Sequence, residues 1–532
     1  MAPSFSSKAK LLLLLAVLCG LLGCGRSENY DPSENLKIPG PEFAGTVRSA
    51  IGIIRDVMTM VTQFAGAFGD FRLGNAVSDC LDLMDLSVDQ LSWTLSASQS
   101  PNAKDNGTGD VGADMKTWLS GALINQDTCR EGFDGTNGIV RDLVAGSLDQ
   151  ITSLVYDILS NVKTTPAAGK GGPKTGGGGK GGPKTGGGGK GGRKLLDSEK
   201  FPGWLRPSDR SLLQAANGAV ADVVVAADGT GDFTTIEEAV RGAPEYSSKR
   251  YVIYVKKGVY KEYVEIGKKK WNIMMVGDGM NATVISGNRN FIDGWTTYRS
   301  ATFAVKGLGF IARDITFENT AGPGKHQAVA LRSDSDLSVL FRCAINGYQD
   351  TLYAHSQRQF YRECQITGTV DFIFGDGTVV FQNCQIRARA GLPNQKNAIT
   401  AQGRKEPVEN TGFSIQFCNI SAEPDVSNST QTYLGRPWKQ HSRTVVMQSY
   451  ISGAIRPEGW LEWNGNFALD TLFYGEFSNY GPGSALGDRV KWPGYHVFNS
   501  SAEASGFTVS QFITGNEWLP STGVRYTAGL GV

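Results

Sequence analysis

Two carboxylates one repeat apart are the first residues of this chain that could share a reaction. Asp371 lies in GTVDFIFG and Asp350 in GYQDTLY, 21 positions earlier, while Gln327 in HQAVALR precedes Gln349 by 22. If the chain winds with that period, each pair becomes a pair of neighbours. Two like charges at such a distance are costly, so one carboxyl is driven toward its protonated form while the other stays ionised. The outcome is a nucleophile beside an acid. The amides add neutral N–H donors for an oxyanion developing on an acyl carbon, and Arg436 in LGRPWKQ offers a cation to hold one carboxylate ionised. Spacing alone also allows a retaining glycosidase, whose carboxylates stand about 5 Å apart. The amide pair favours acyl chemistry.

Around Asp371, strand alternation predicts that Asp371 and Ile373 point one way and Val370, Phe372 and Phe374 the other. Tyr353, Phe374, Trp438, Trp460 and Trp463 could line a groove for sugar rings or simply pack the fold. Asp334 and Asp336 in SDSD could take calcium, although a solvated turn is the simpler reading. His326, His355, His441 and His496 are scattered without ligand spacing, so no metal site is expected.

The element that must position these residues begins near 217. Short β-branched and aromatic runs such as VVVAA, YVIYV, NIMMVG, TVISG and SVLFRC alternate with Gly, Asp and Asn, as strands and turns do. FRCAI around Cys343, YRECQI around Cys364 and FQNCQI around Cys384 recur at 21 and 20 residues, and FCNI around Cys418 follows after a longer interval. Such a period predicts a right-handed parallel β-helix, an all-β solenoid with one coil per repeat. Adjacent coils lie about 4.8 Å apart. Cys364 is one period from both Cys343 and Cys384, so spacing does not choose a disulfide, and a stack of small buried side chains fits equally well.

The rest of the chain reads differently. Lys8 and Lys10, an apolar run from Leu11 to Leu22 and small residues after it predict a secretory signal over 1–24, with a signal anchor as the alternative. Secretion admits disulfides and glycans, the latter at the sequons of Asn106, Asn281, Asn419, Asn428 and Asn499. Over 40–163 the pattern is an all-α bundle: Val77, Leu81, Met84, Val88, Leu91 and Leu95 fall on one helix face, and Cys80 with Cys129 could staple two helices. GKGGPKTGGG, repeated at 169–178 and 179–188, marks 164–192 as a Gly/Lys linker. In 193–216, Arg193-Lys194-Leu195-Leu196 and Arg210-Ser211-Leu212-Leu213 read as processing sites that would make the first half a removable pro-region. With 52 basic against 51 acidic residues, nothing supports a nucleic-acid partner.

GVYKEYVEI, DITFENTAG, HQAVALR, GYQDTLY, GTVDFIFG, LGRPWKQHSRTVVM, GWLEW and YGEFSNYGPGS, in this order over 217–532, closely resemble plant pectin methylesterases. LDLMDLSVDQLSWTLSASQ and MKTWLSGALINQDTC resemble the inhibitor domain that precedes the enzyme in the family's longer proforms. The resemblance implies an extracellular, cell-wall enzyme that hydrolyses methyl esters of homogalacturonan without metal or cofactor. It makes Asp371 the nucleophile, Asp350 the acid and then base, and Gln349 the stabiliser of the transition state. Gln327, Thr297, Arg436 and Trp438 match the family's substrate-contacting positions. The resemblance also implies a Cys364–Cys384 bridge, a subtilisin-like processing protease, and inhibitor proteins of the same family as partners. The inhibitor-like region departs from the family in keeping only Cys80 and Cys129 where four cysteines are usual.

Overall fold

FRCAI, YRECQI, FQNCQI and FCNI form one recurring corner in the computed structural model, which describes residues 34–63, 69–100, 106–136, 138–163, 221–426 and 430–531. At each corner a strand ends, one residue turns left-handed, and the next strand leaves in a new direction. Arg342, Glu363, Asn383, Phe417, Gln448 and Ser478 hold φ between +49° and +57° there. Non-glycine residues adopt that region only at a cost; here it recurs because the bend closes each coil. Just past the bend, Ile345, Ile366, Ile386, Ile420 and Ile451 lie in register from coil to coil. All five are fully buried. Stacking identical side chains this way removes apolar surface at about 25 cal/mol per Å2.

Among the described residues the strands form three parallel sheets of eleven, eight and seven strands. The second half is therefore a parallel β-helix, as the period predicts. The Cys364–Cys384 bridge is not formed. Cys343, Cys364, Cys384 and Cys418 are buried free thiols in one ladder. Three of the sulfurs turn to a carbonyl of the preceding coil: Cys364 Sγ donates to Leu340 O (3.3 Å), Cys384 Sγ to Tyr361 O (3.5 Å) and Cys418 Sγ to Phe381 O (3.4 Å), while Cys343 Sγ donates to Phe341 O of its own coil (3.6 Å). Repetition gives every inner cysteine two equivalent neighbours, and the backbone takes the thiol instead.

The first half is a bundle of α1 (Gly40–Thr62), α2 (Phe71–Gln99), α3 (Val111–Gly132) and α4 (Gly138–Ser160). Asp70 caps α2 by accepting from the backbone N–H of Arg72 and Leu73, satisfying donors a helix start leaves open. The Cys80–Cys129 bridge is formed and joins α2 to α3. Val77, Met84, Val88 and Leu91 are buried as the stripe requires, with Leu81 and Leu95 packed at its edge. The polar side of α2 does not face water throughout: Asp79, Ser87, Gln90 and Thr94 are buried too. The signal, the 164–192 linker, the processing stretch and Asn428 lie outside the described residues. No helix among the described residues is long and apolar enough to cross a membrane.

The buried polar side of α2 meets the solenoid. Carboxylates come from the helices and cations from the coils. Arg299 Nε lies 2.6 Å from Asp79, and Lys268 Nζ lies 2.7 Å from Asp85 and 2.8 Å from Asp89. Buried Arg358 joins Asp336 of its own half to Asp114 of α3, each at 2.6 Å. Lys439 reaches Asp127 at 2.8 Å and also pairs with Glu131, while Lys405 reaches Asp127 at 2.7 Å.

Another buried pair supports the solenoid arm that carries Arg436. Glu476 accepts from Arg489 Nε (2.7 Å), Trp460 Nε1 (3.3 Å) and Tyr495 OH (3.1 Å). Trp460 stacks on Tyr474 at 4.2 Å, and its backbone bridges to Gly435, one residue before Arg436. Replacing Arg489 by methionine leaves Glu476 as an uncompensated buried charge, so we expect a loss of about 3–5 kcal/mol, measured by denaturant unfolding.

Candidate active site

The backbone that presents the two carboxylates is itself unusual. Asp350 and Asp371 both take left-handed φ, +60° and +53°, at the bend leading into the seven-stranded sheet. Aspartate tolerates this region better than most residues. Leu352 pairs with Ile373 and Tyr353 with Phe374, and the Asp350 N–H donates to Val370 O at 3.1 Å, so the aspartates stand one coil apart as their spacing predicts. Strand alternation does not hold around Asp371, because the strand begins only at Ile373. Phe372 and Ile373 both enter the solenoid core, whereas Asp371 and Phe374 line a cavity.

Arg436 grips Asp371 through two parallel hydrogen bonds, Nε to Oδ1 at 2.8 Å and Nη2 to Oδ2 at 2.7 Å. Its guanidinium carbon lies 4.3 Å from the centre of the Trp463 ring. Such a fork fixes both orientation and charge. The two aspartates accordingly differ. Burial pushes the Asp350 carboxyl far above the usual range, the Asp371 charge adds to it, and Arg436 only partly opposes. Burial also raises Asp371, but its hydrogen bonds and charge contact with Arg436 restrain the shift. Both carboxyls are raised, Asp350 the further of the two, and Arg436 opposes the shift most directly at Asp371.

The cavity measures about 310 Å3. It brings together all seven residues named from the sequence: Thr297, Gln327, Gln349, Asp350, Asp371, Arg436 and Trp438. Phe374 stacks on Tyr353 at 4.1 Å and meets Trp438 edge-on at 5.9 Å, giving one aromatic wall. Trp463 also lines it, whereas Trp460 is buried in the solenoid. Sequence reasoning missed Thr296, Tyr298 and Ala401 on the solenoid side, and the whole roof, made of Thr128, Glu131 and Gly132 of α3 with Asp134 after it. The roof is a tertiary contact between distant segments, and no local pattern announces it.

The SDSD carboxylates are structural. Asp334 lies 2.9 Å from Arg332 and 2.6 Å from Nδ1 of buried His355, whose Nε2 meets Thr128 Oγ1 of α3 at 2.9 Å; Asp336 holds Arg358. No cluster of His, Cys, Asp or Glu fit for a metal ion occurs among the described residues. Chemically, the cavity offers a carboxylate gripped by a guanidinium, a second carboxyl driven toward its protonated form, two amides and an aromatic wall, a set suited to transfer of an acyl group.

The two halves of the chain match two family models. The pectinesterase family model matches residues 222–516, and the plant invertase/pectin methylesterase inhibitor model matches 42–162. "Pectinesterase/pectinesterase inhibitor PPE8B" of Prunus persica is 59% identical over 98% of this chain and 97% of its own. "Probable pectinesterase/pectinesterase inhibitor 44" of Arabidopsis thaliana is 62% identical over 97% and 98%. Among solved structures, the pectin methylesterase from carrot is 56% identical with a TM-score of 0.58, over 59% of this chain and 99% of its own. The chain belongs to the pectinesterase family and carries an inhibitor-type helical domain ahead of its enzyme.

Proposed function

We propose that this pectin methylesterase works through Asp371 as nucleophile and Asp350 as acid and then base. Asp371 attacks the carbonyl carbon of a galacturonate methyl ester, while Gln349 and Gln327 donate to the oxygen that gains charge. Asp350 gives its proton to the departing methoxide, which leaves as methanol. It then takes a proton from water, which attacks the acyl-enzyme and releases the galacturonate carboxylate with Asp371 restored. Thr297, Arg436 and Trp438 hold the sugar chain. The observation that carries the assignment is the two-bonded Arg436–Asp371 contact one coil from a carboxyl kept protonated.

Highly esterified pectin tests the reaction: the enzyme is expected to release methanol without new reducing ends. Reducing ends without methanol would indicate a glycosidase or lyase on the same solenoid. A pH profile tests the roles. Activity is expected to fall on the acid side as Asp371 is protonated and on the alkaline side as Asp350 loses its proton. Arg436 lowers both groups, so Arg436→Gln is expected to move both limbs of kcat/KM toward higher pH.

We further infer that the helical half restrains the enzyme, since α3 roofs the cavity through Thr128 and Glu131. Cleavage near Leu196 or Leu213 by a subtilisin-like protease would remove it, leaving a wall enzyme in the secreted space. A separate inhibitor protein of the same family would occupy the same face.

A further inference from the structure

We propose that Lys405 and Lys439 form a subsite for the carboxylate of already de-esterified galacturonate, filled in the full chain by Asp127 and Glu131 of α3; the proposal rests on the esterase reading above. Glu131 lines the cavity with both catalytic aspartates and also lines the adjoining cleft of Lys405 and Lys439. Trp438, the chain neighbour of Lys439, belongs to both spaces, and Lys439 Nζ lies 5.1 Å from its ring centre. The cleft therefore continues the reaction cavity along the solenoid surface.

The ion pairs of the two lysines are one-sided. Lys439 pairs with Asp127 and Glu131, and Lys405 with Asp127. Among the described residues neither lysine has an ion pair within the solenoid. Lys306 differs: it meets Asp82 across the interface but keeps Glu265 of its own half at 2.5 Å. When the helices leave, Lys306 keeps Glu265, whereas Lys405 and Lys439 lose the carboxylates they pair with and face an open groove. Ammonium groups that have lost carboxylate partners are matched by another carboxylate that brings its own hydrogen-bond acceptors.

The reaction makes that anion. Every ester hydrolysed leaves one carboxylate fixed to the same polymer, so units already processed can meet the ammonium groups while the next ester lies over Asp371. Asp127 and Glu131, one helical turn apart, present two carboxylates to two lysines much as a de-esterified stretch of polymer would. Occupation of this subsite would favour esters beside free acid over isolated ones, and would let the fully de-esterified product compete for the groove.

The test uses the full chain with a specific protease site placed within 169–192, cut after folding and freed of its helical half in salt. Titration of tryptophan fluorescence with de-esterified oligogalacturonate reads the subsite directly. The K405Q/K439Q protein is expected to bind it about tenfold more weakly or worse, and K405R/K439R within roughly threefold of wild type. K491Q, at an exposed lysine outside both spaces, serves as the control and is expected to match wild type. In methanol release, K405Q/K439Q is expected to raise KM for partly de-esterified pectin more than for highly esterified pectin. Equal oligogalacturonate affinity in wild type and K405Q/K439Q, with methanol release intact in wild type, overturns the subsite alone. Absence of methanol release from the wild-type protein overturns the esterase reading itself.

Discussion

Asp371→Asn is expected to lower methanol release on the order of 10^4-fold or more, with KM changed far less. An amide of the same shape keeps the place in the cavity but cannot form the acyl-enzyme, and removal of an attacking group is among the largest losses a single substitution produces. Asp350→Asn is expected to cost less, roughly 10^2- to 10^4-fold, because water can protonate the departing methoxide slowly in its place. The two variants also separate by pH. Asp350→Asn should lose the alkaline limb, since the group whose deprotonation causes it is gone, while Asp371→Asn leaves too little activity to profile. Folding is checked by circular dichroism. Asp371→Asn retaining more than roughly a hundredth of the wild-type rate would remove Asp371 from the role of nucleophile.

The solenoid and the catalytic register were legible because a coil repeats its own chemistry. The isoleucine after each cysteine stacks on its counterpart, and the period that stacks Ile345 on Ile366 also sets Asp350 beside Asp371. The same repetition hid the state of the cysteines. Cys364 has equivalent neighbours on both sides, and only the directions of the sulfurs toward Leu340 O and Arg362 O show that no bridge forms. The left-handed bends at Asp350 and Asp371 were not readable either, because coil closure sets φ there and the side chain only tolerates it. That is why strand alternation failed to place Phe374.

What the sequence held most openly, and what an apolar reading of α2 passed over, is its acidic stripe. Asp79, Asp82, Asp85 and Asp89 recur at spacings of three, three and four, which aligns them on one helix face. A helix face so charged either stays in water or finds cations. In a chain whose total charge is only +1, the balancing cations must be elsewhere, and Arg299, Lys306 and Lys268 on the solenoid supply them. Net charge averaged away the complementarity that joins the two halves.

Cutting the chain between its halves and diluting it is expected to raise methanol release on the order of 10^3-fold. Linkage in one chain presents the helical half to the solenoid at an effective concentration on the order of 1 mM. Even if the separated halves bind with only micromolar affinity, about −8 kcal/mol, the uncut chain is then open roughly one part in a thousand. The contact has the materials for that strength: an apolar cluster running from Met115, Leu119 and Leu123 of α3 to Tyr353, Phe374 and Ala401 of the solenoid, with the buried Asp114–Arg358–Asp336 chain beside it. The half-exposed pairs around Lys405, Lys439 and Lys268 add a part that salt can weaken, as the screening length falls from about 8 Å at physiological ionic strength to about 3 Å at 1 M. Uncut activity should therefore climb with salt, while the cut and diluted enzyme lacks that increase. D127N/E131Q removes the carboxylates facing Lys405 and Lys439 without touching the solenoid, and is expected to raise uncut activity about tenfold or more. Equal specific activity before and after cutting, each measured on the same highly esterified pectin, would mean that α3 roofs the cavity without closing it to the polymer.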